Sequence, residues 1–204
     1  DIVSLSLGSE PGDGMGIQSE TTLAVQEALA AGIFVVAAAG NTGEDPGISD
    51  VSVPANLPGV IAAGSSTRSG SVWSGSAAGS MTNPYGDGNR SYPDQKPEVT
   101  APGVLLFSTT TTLTEPPYAY STGTSDSTVL VTGALALILE LHGAALAGDD
   151  GVIESDEMAI VKRALATSCD KTGIDGSPHD ARGGYGMLDA VQWASDIAFE
   201  LNLA

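Results

Sequence analysis

From Ser125 to about His142 the chain is apolar almost all the way round a helix, and only Thr132, Gly133 and Glu140 interrupt the run after Val129. Such a helix has no polar face to turn to water, so the pattern predicts full burial against other elements. Its most apolar stretch, Val129 to Leu141, is too short to span a bilayer. It therefore reads as the core helix of a layered domain with no membrane span. The segments before it supply the layers. Ile2 to Leu7 alternates as a strand, and a Gly-rich loop runs from Gly8 to Gly16. Ser19 is placed to cap a helix through Leu29, which Gly32 ends. Ile33 to Ala38 is a continuous apolar run of strand length, the mark of a strand buried on both faces. Strand, helix and strand joined by short connections predict a right-handed βαβ unit of a parallel sheet. Gly59 to Gly64 adds a strand. Residues 66–98, rich in Ser, Gly, Asn and Pro, read as loops and short antiparallel strands. Two further helices are expected, one from Ser155 with Asp156 and Glu157 in its first turn, the other over about 188–200. The expectation is a single α/β domain, a mostly parallel central sheet with helices on both faces.

Charge narrows the partners. Against 25 acidic residues stand 7 basic ones, a formal net charge of -18. Nucleic acid and anionic membrane surfaces repel such a chain. The only lysines are Lys96, Lys162 and Lys171. An acidic, lysine-poor chain of small core residues reads as one adapted to high salt, where salt screens self-repulsion. Cys169 is the only cysteine, so no internal disulfide forms.

The entrance to the apolar helix reads Thr122-Gly123-Thr124-Ser125. A serine held there has backbone N–H groups and the positive end of the helix dipole beside it, which suits a nucleophilic hydroxyl. Alone, the tetrapeptide is equally a helix cap. A nucleophilic serine also needs a base. His142 lies more than four helical turns away, and His179, in Ser177-Pro178-His179-Asp180, reads as a solvated loop histidine. Asn41, in Ala39-Gly40-Asn41-Thr42-Gly43 after the buried strand, either donates to a developing oxyanion or satisfies its own turn.

Taken together, four motifs stand in one order: Ser4-Leu5-Ser6-Leu7-Gly8, Ala37-Ala38-Ala39-Gly40-Asn41, Lys96-Pro97-Glu98-Val99-Thr100-Ala101-Pro102-Gly103, and Gly123-Thr124-Ser125. Gly184-Tyr185-Gly186-Met187-Leu188-Asp189-Ala190 follows late in the chain. In this the chain resembles the subtilisin-like serine peptidases, the subtilases, over nearly its whole length. The resemblance implies a three-layer subtilisin-like fold and acyl-enzyme peptide hydrolysis. It implies Ser125 as nucleophile and Asn41, with the Ser125 N–H, as the oxyanion hole. Ser6, Leu7 and Gly8 match the substrate-binding strand, and Ala38, Ala39 and Gly40 the wall of the specificity pocket. Their small side chains suggest a roomy apolar pocket. The family's catalytic aspartate and histidine come from segments upstream of the Ser-Leu-Gly strand. Residues 1–204 are therefore expected to be the C-terminal portion of one peptidase domain, partnered by the missing N-terminal segment and by extended peptide or protein substrates. A secreted or cell-surface setting is likewise implied. No cofactor is required. Family members often carry structural calcium on loops, but no site can be placed here. Asp150 to Glu157 resembles half of an EF-hand loop, yet Leu146 and Gly148 would fall at its first and third ligand positions, so it reads as an acidic insertion. The chain departs from the family after the serine, where Asp126-Ser127-Thr128-Val129 replaces Met/Gln-Ala-Ser/Thr-Pro. A carboxylate beside a forming oxyanion opposes it, which leaves a second reading: an inactive, subtilase-like peptide-binding domain.

Overall fold

Four parallel strands, β1 (Ile2–Leu5), β2 (Phe34–Ala38), β3 (Ile61–Ser66) and β4 (Val99–Pro102), lie side by side in that order. Val3 is in register with Val35, Ala37 with Ala62 and Gly64 with Thr100. The structure is a computed structural model that describes residues 1–11, 19–111 and 116–203; part of the expected Gly8–Gly16 loop lies outside them. Every residue of β2 and β3 is buried, as the unbroken apolar run of β2 requires; in β3 that burial extends to Ser65 and Ser66.

Helix α1 (Glu20–Ala30) links β1 to β2, and Ser19 caps it by accepting from the Thr22 N–H at 3.2 Å. Val25 of α1 packs with Val35, Ala37, Val51, Leu57 and Val60 on one face of the sheet. The other face carries α2 (Thr124–Leu146), α3 (Ser155–Ser168) and α4 (Ala190–Glu200). There Phe34, Val36, Ile61 and Val99 meet Leu135, Ile138, Leu165 and Trp193. The Trp193 indole, fully buried, donates to the Val161 carbonyl at 2.9 Å. The architecture is the α/β sandwich expected.

Four details differ from the sequence reading. β1 stops at Leu5, which leaves Ser6, Leu7 and Gly8 just beyond the strand. Residues 67–98, beyond the end of β3, hold no strand; isolated bridges pair Ser66 with Val72 and Thr82 with Asn89. An antiparallel hairpin, β5 (Leu106–Thr109) and β6 (Tyr118–Ser121), feeds directly into α2. Helix α2 itself is 23 residues long, enough by length and composition to cross a membrane, yet one side packs on the sheet. It is not fully buried: Val131, Leu135 and Ile138 face the sheet, while Val129, Leu130, Leu137 and Leu141 lie exposed on the other side.

Charge is also placed inside. Lys96 Nζ donates to Glu98 Oε1 at 2.7 Å, Lys162 Nζ to the same oxygen at 2.8 Å, and Glu98 Oε2 accepts the Ala62 N–H at 2.8 Å. Lys162 also pairs with Asp94. Burial lowers the Lys96 pKa to about 8, against the pull of Glu98. This network pins the Lys-Pro-Glu segment under the start of β4. A second buried pair, bidentate Arg90–Asp50 at 2.7 and 2.8 Å, fixes the segment that leads to Ser52.

Candidate active site

The C-terminal ends of the parallel strands and the N-terminus of α2 meet at one place. Gly103, just past β4, makes the meeting close. A Cβ there would lie 2.2 Å from Ser127 Oγ and 2.6 Å from the Gly123 carbonyl, so no other residue fits. The Gly123 N–H donates to the Gly103 carbonyl at 2.8 Å, and Ser127 Oγ to the Ala101 carbonyl at 2.9 Å. The start of α2 is thereby fastened to β4.

Ser125 stands in the first turn of α2. Its Oγ donates to the Ser6 carbonyl at 3.2 Å, and Ser6 Oγ donates to the Ser125 carbonyl at 2.9 Å. This reciprocal pair holds the serine hydroxyl beside the chain that leaves β1. Asn41 follows β2. Its Oδ1 accepts from both the N–H and the Oγ1 of Thr124, each at 3.0 Å, while Thr124 Oγ1 accepts the Gly40 N–H at 3.1 Å. With its carbonyl oxygen so used, the Asn41 amide is fixed in orientation and its Nδ2 is left to donate. Among the described residues neither that Nδ2 nor the Ser125 N–H has a hydrogen-bond partner. Nδ2 lies 3.4 Å from the point where a Gly123 Cβ would sit, so it stays beside the turn that presents Ser125. A hydroxyl, two open N–H donors and a helix N-terminus can together hold a nucleophile and an oxyanion.

Asp126 points to the same neighbourhood. Its Oδ2 lies 3.8 Å from the same Gly123 Cβ point and accepts from Ser121 Oγ at 2.8 Å, which ties β6 to α2.

A cavity of about 290 Å³ opens beside Ser125, lined by Leu7 and Gly8 on one wall and Ala38 and Gly40 on the other. Gly40 has a φ of 111°, and a Cβ there would meet Ser52 Oγ at 2.3 Å. Ala39 does not line the cavity; it packs into the core with Val35 and Leu57. The expectation of an apolar pocket is corrected here. Ser9, Glu10, Thr42 and Ser52 also form its lining, brought in from segments that the strand motifs do not include.

Neither histidine joins the site. His142 is buried 17 residues along α2, about 25 Å from Ser125 along the helix axis. His179 is not a solvated loop residue. Its Nε2 lies 3.0 Å from the Pro97 carbonyl, its ring meets the edge of Tyr185 at 4.8 Å, and burial lowers its pKa. Pro97 precedes β4, whereas Ser125 sits beyond the strands' C-terminal ends, so His179 is at the opposite end of the sheet. Among the described residues no group of three His, Cys, Asp or Glu side chains is placed to hold a metal. Asp150 ends a short 3-10 turn and accepts the Val152 N–H at 3.0 Å. The buried Cys169 thiol, pushed up to about 12 by burial, is inert.

Residues 1–186 match the subtilase family. Subtilisin E of Bacillus subtilis (strain 168) is 36% identical over 142 residues, which are 70% of this chain and 31% of that protein. Subtilisin of Bacillus pumilus is 35% identical over 142 residues and is covered to 43%. The chain therefore spans less than half the length of these relatives. Among solved structures, the prenylagaramide maturation protease PagA superposes with a TM-score of 0.67 at 23% identity, over 96% of this chain and 62% of that one. The self-cleaved protease domain of PatA gives 0.66 at 23% identity, over 97% and 62%. At that identity the likeness speaks for the fold. The family match runs from β1 through the turn before α2 to the Gly-Tyr-Gly segment, and on it this chain belongs to the subtilase family of serine peptidases.

Proposed function

We propose that this chain is the C-terminal portion of a serine endopeptidase domain, with Ser125 as nucleophile. The observation that carries the reading is the Asn41–Thr124 clamp, which leaves Nδ2 and the Ser125 N–H free beside the Ser125 hydroxyl. A peptide lies extended along Ser6 to Gly8, and its side chain enters the cavity between Gly8 and Gly40. Ser125 Oγ attacks the scissile carbonyl carbon while its proton passes to a histidine. Asn41 Nδ2 and the Ser125 N–H stabilise the oxyanion. The C–N bond breaks, the amine leaves with that proton, and water then releases the acyl group.

The histidine and its orienting aspartate come from a segment outside these residues. Two features support this. His142 and His179 are both remote from Ser125. The outer edge of β1 and the exposed apolar side of α2 offer that segment a strand edge and a helix face to cover. We extend the reading, on family resemblance, to protein or peptide substrates and to a secreted or cell-surface protein. Structural calcium on loops is compatible with it, but no calcium site is assigned.

The test is Ser125→Ala in the complete protein, with circular dichroism as the check on folding. Turnover of a peptide substrate should vanish with the fold intact, and a serine-directed phosphonate should label Ser125 in the parent protein. Wild-type turnover in the variant would overturn the assignment. A folded parent that binds peptides, cleaves none and takes no phosphonate would establish the peptide-binding reading that Asp126 favours. The 204-residue chain by itself should hydrolyse nothing at a useful rate, because neither of its histidines lies within reach of Ser125.

A further inference from the structure

We infer that the cavity beside Ser125 is built for a basic side chain, lysine or arginine, at the residue before the scissile bond. This rests on the peptidase reading above and goes further by naming what that site selects. Among the described residues that line the cavity Glu10 is the one charged residue, and none is lysine, arginine or histidine. Ser52 is buried, and its Oγ lies between the two backbone walls, 3.5 Å from where a Gly8 Cβ would be and 2.3 Å from where a Gly40 Cβ would be. A hydroxyl thus stands in the depth of the cavity and a carboxylate in its lining. Ser9 and Thr42 add to its lining. An apolar occupant would draw that carboxylate out of water without pairing it.

A basic side chain meets each part of this lining. Its methylenes pass between Leu7, Gly8, Ala38 and Gly40, where no side chain is large except Leu7. Its head carries only donors, three on lysine and five on arginine, and the cavity supplies hydroxyl and carboxylate acceptors. An acidic occupant would face Glu10, and a leucine or phenylalanine would offer it no donor. The overall charge of -18 acts in the same direction, drawing cationic peptides toward the molecule.

The experiment uses the complete protein and one extended peptide series that varies only in the residue before the cleaved bond: Lys, Arg, Leu, Phe or Glu. The Lys and Arg peptides should exceed the Leu peptide in kcat/KM by about tenfold, and the Glu peptide should be slowest. In Glu10→Gln the Lys-to-Leu ratio should fall about fivefold, the size expected for a partly solvated charge pair. A Leu or Phe preference, or a ratio that Glu10→Gln leaves unchanged, would overturn the inference while the peptidase reading stands. If no peptide is cleaved, the peptidase reading fails. The inference is then decided by fluorescence anisotropy with the same labelled peptides: Lys-over-Leu binding that Glu10→Gln reduces supports it, and equal binding sinks it.

Discussion

Asn41 and Asp126 flank the same turn with opposite electrostatic sense, and each gives a test at the level of one residue. Thr124 holds Asn41 by its carbonyl oxygen, so the free Nδ2 can act only on charge that appears outside the protein. Interactions made only with transition-state charge alter kcat, whereas uniform binding alters KM. Asn41→Ala in the complete protein should therefore lower kcat by about 10²–10³ with a small change in KM. A variant that changes KM alone would make Asn41 a binding or turn residue. Asp126 brings a carboxylate near that donor and spends one oxygen on Ser121 Oγ. Asp126→Asn keeps a partner for Ser121 and removes the charge, so kcat should rise or hold. Asp126→Met, the family's more usual residue, removes the tether as well. Comparing the two variants on one peptide separates the charge from the link between β6 and α2. A loss of activity in Asp126→Asn with folding intact would show that the carboxylate itself is needed.

Elements show where sequence patterns inform and where they stop. Ser19 and the unbroken apolar run at Ile33–Ala38 were legible because a cap and a two-sided strand are local signals. The candidate site is legible in part, since Ser125 and Asn41, which the structure brings to the same turn, each sit in a recognisable motif. The clamp between Asn41 and Thr124 was not, for it joins residues 83 apart, and neither was the polar cavity that Glu10 and Ser52 complete. The apolar circumference of α2 predicts full burial. Such a pattern reports that a partner is needed on every side, not that these 204 residues contain it. Leu137, 73% exposed, measures that distinction. In the isolated chain Leu137→Lys should change stability by less than about 0.5 kcal/mol, as exposed positions do. In the complete protein, with the proposed segment over α2, the same change would bury an unpaired ammonium and should cost about 3 kcal/mol or more. Denaturant unfolding of both forms checks this. An equal, small effect in both would leave α2 uncovered and would remove the proposed docking face.

At the scale of the whole molecule, charge and core oppose each other. The buried core of the described residues is mostly small and β-branched side chains, with Phe34, Tyr185 and Trp193 as its aromatic anchors. Around it lies a formal charge of -18, most of it carried by residues whose like-charged neighbours repel across water. The cations are few, and several are already committed inside: Lys96 and Lys162 to Glu98 and Asp94, Arg90 to Asp50. Buried pairs of this kind respond little to salt, whereas exposed repulsions beyond a Debye length of about 10 Å at 0.1 M, and about 3 Å at 1 M, are screened away. Added salt should therefore remove the repulsion and leave the internal pairs intact, so stability should rise with ionic strength. We propose on this ground that the protein is adapted to high salt. The thermal midpoint of the chain should climb by several degrees between 0.1 M and 3 M KCl, since a gain of about 1 kcal/mol moves a domain of this size by roughly 2–4 °C. Sodium chloride should act as potassium chloride does, because screening depends on ionic strength and not on a bound ion. Were calcium alone able to reproduce the gain at millimolar concentration, a specific site would be responsible rather than screening. A midpoint that is flat or falls across the KCl series would eliminate the high-salt reading altogether.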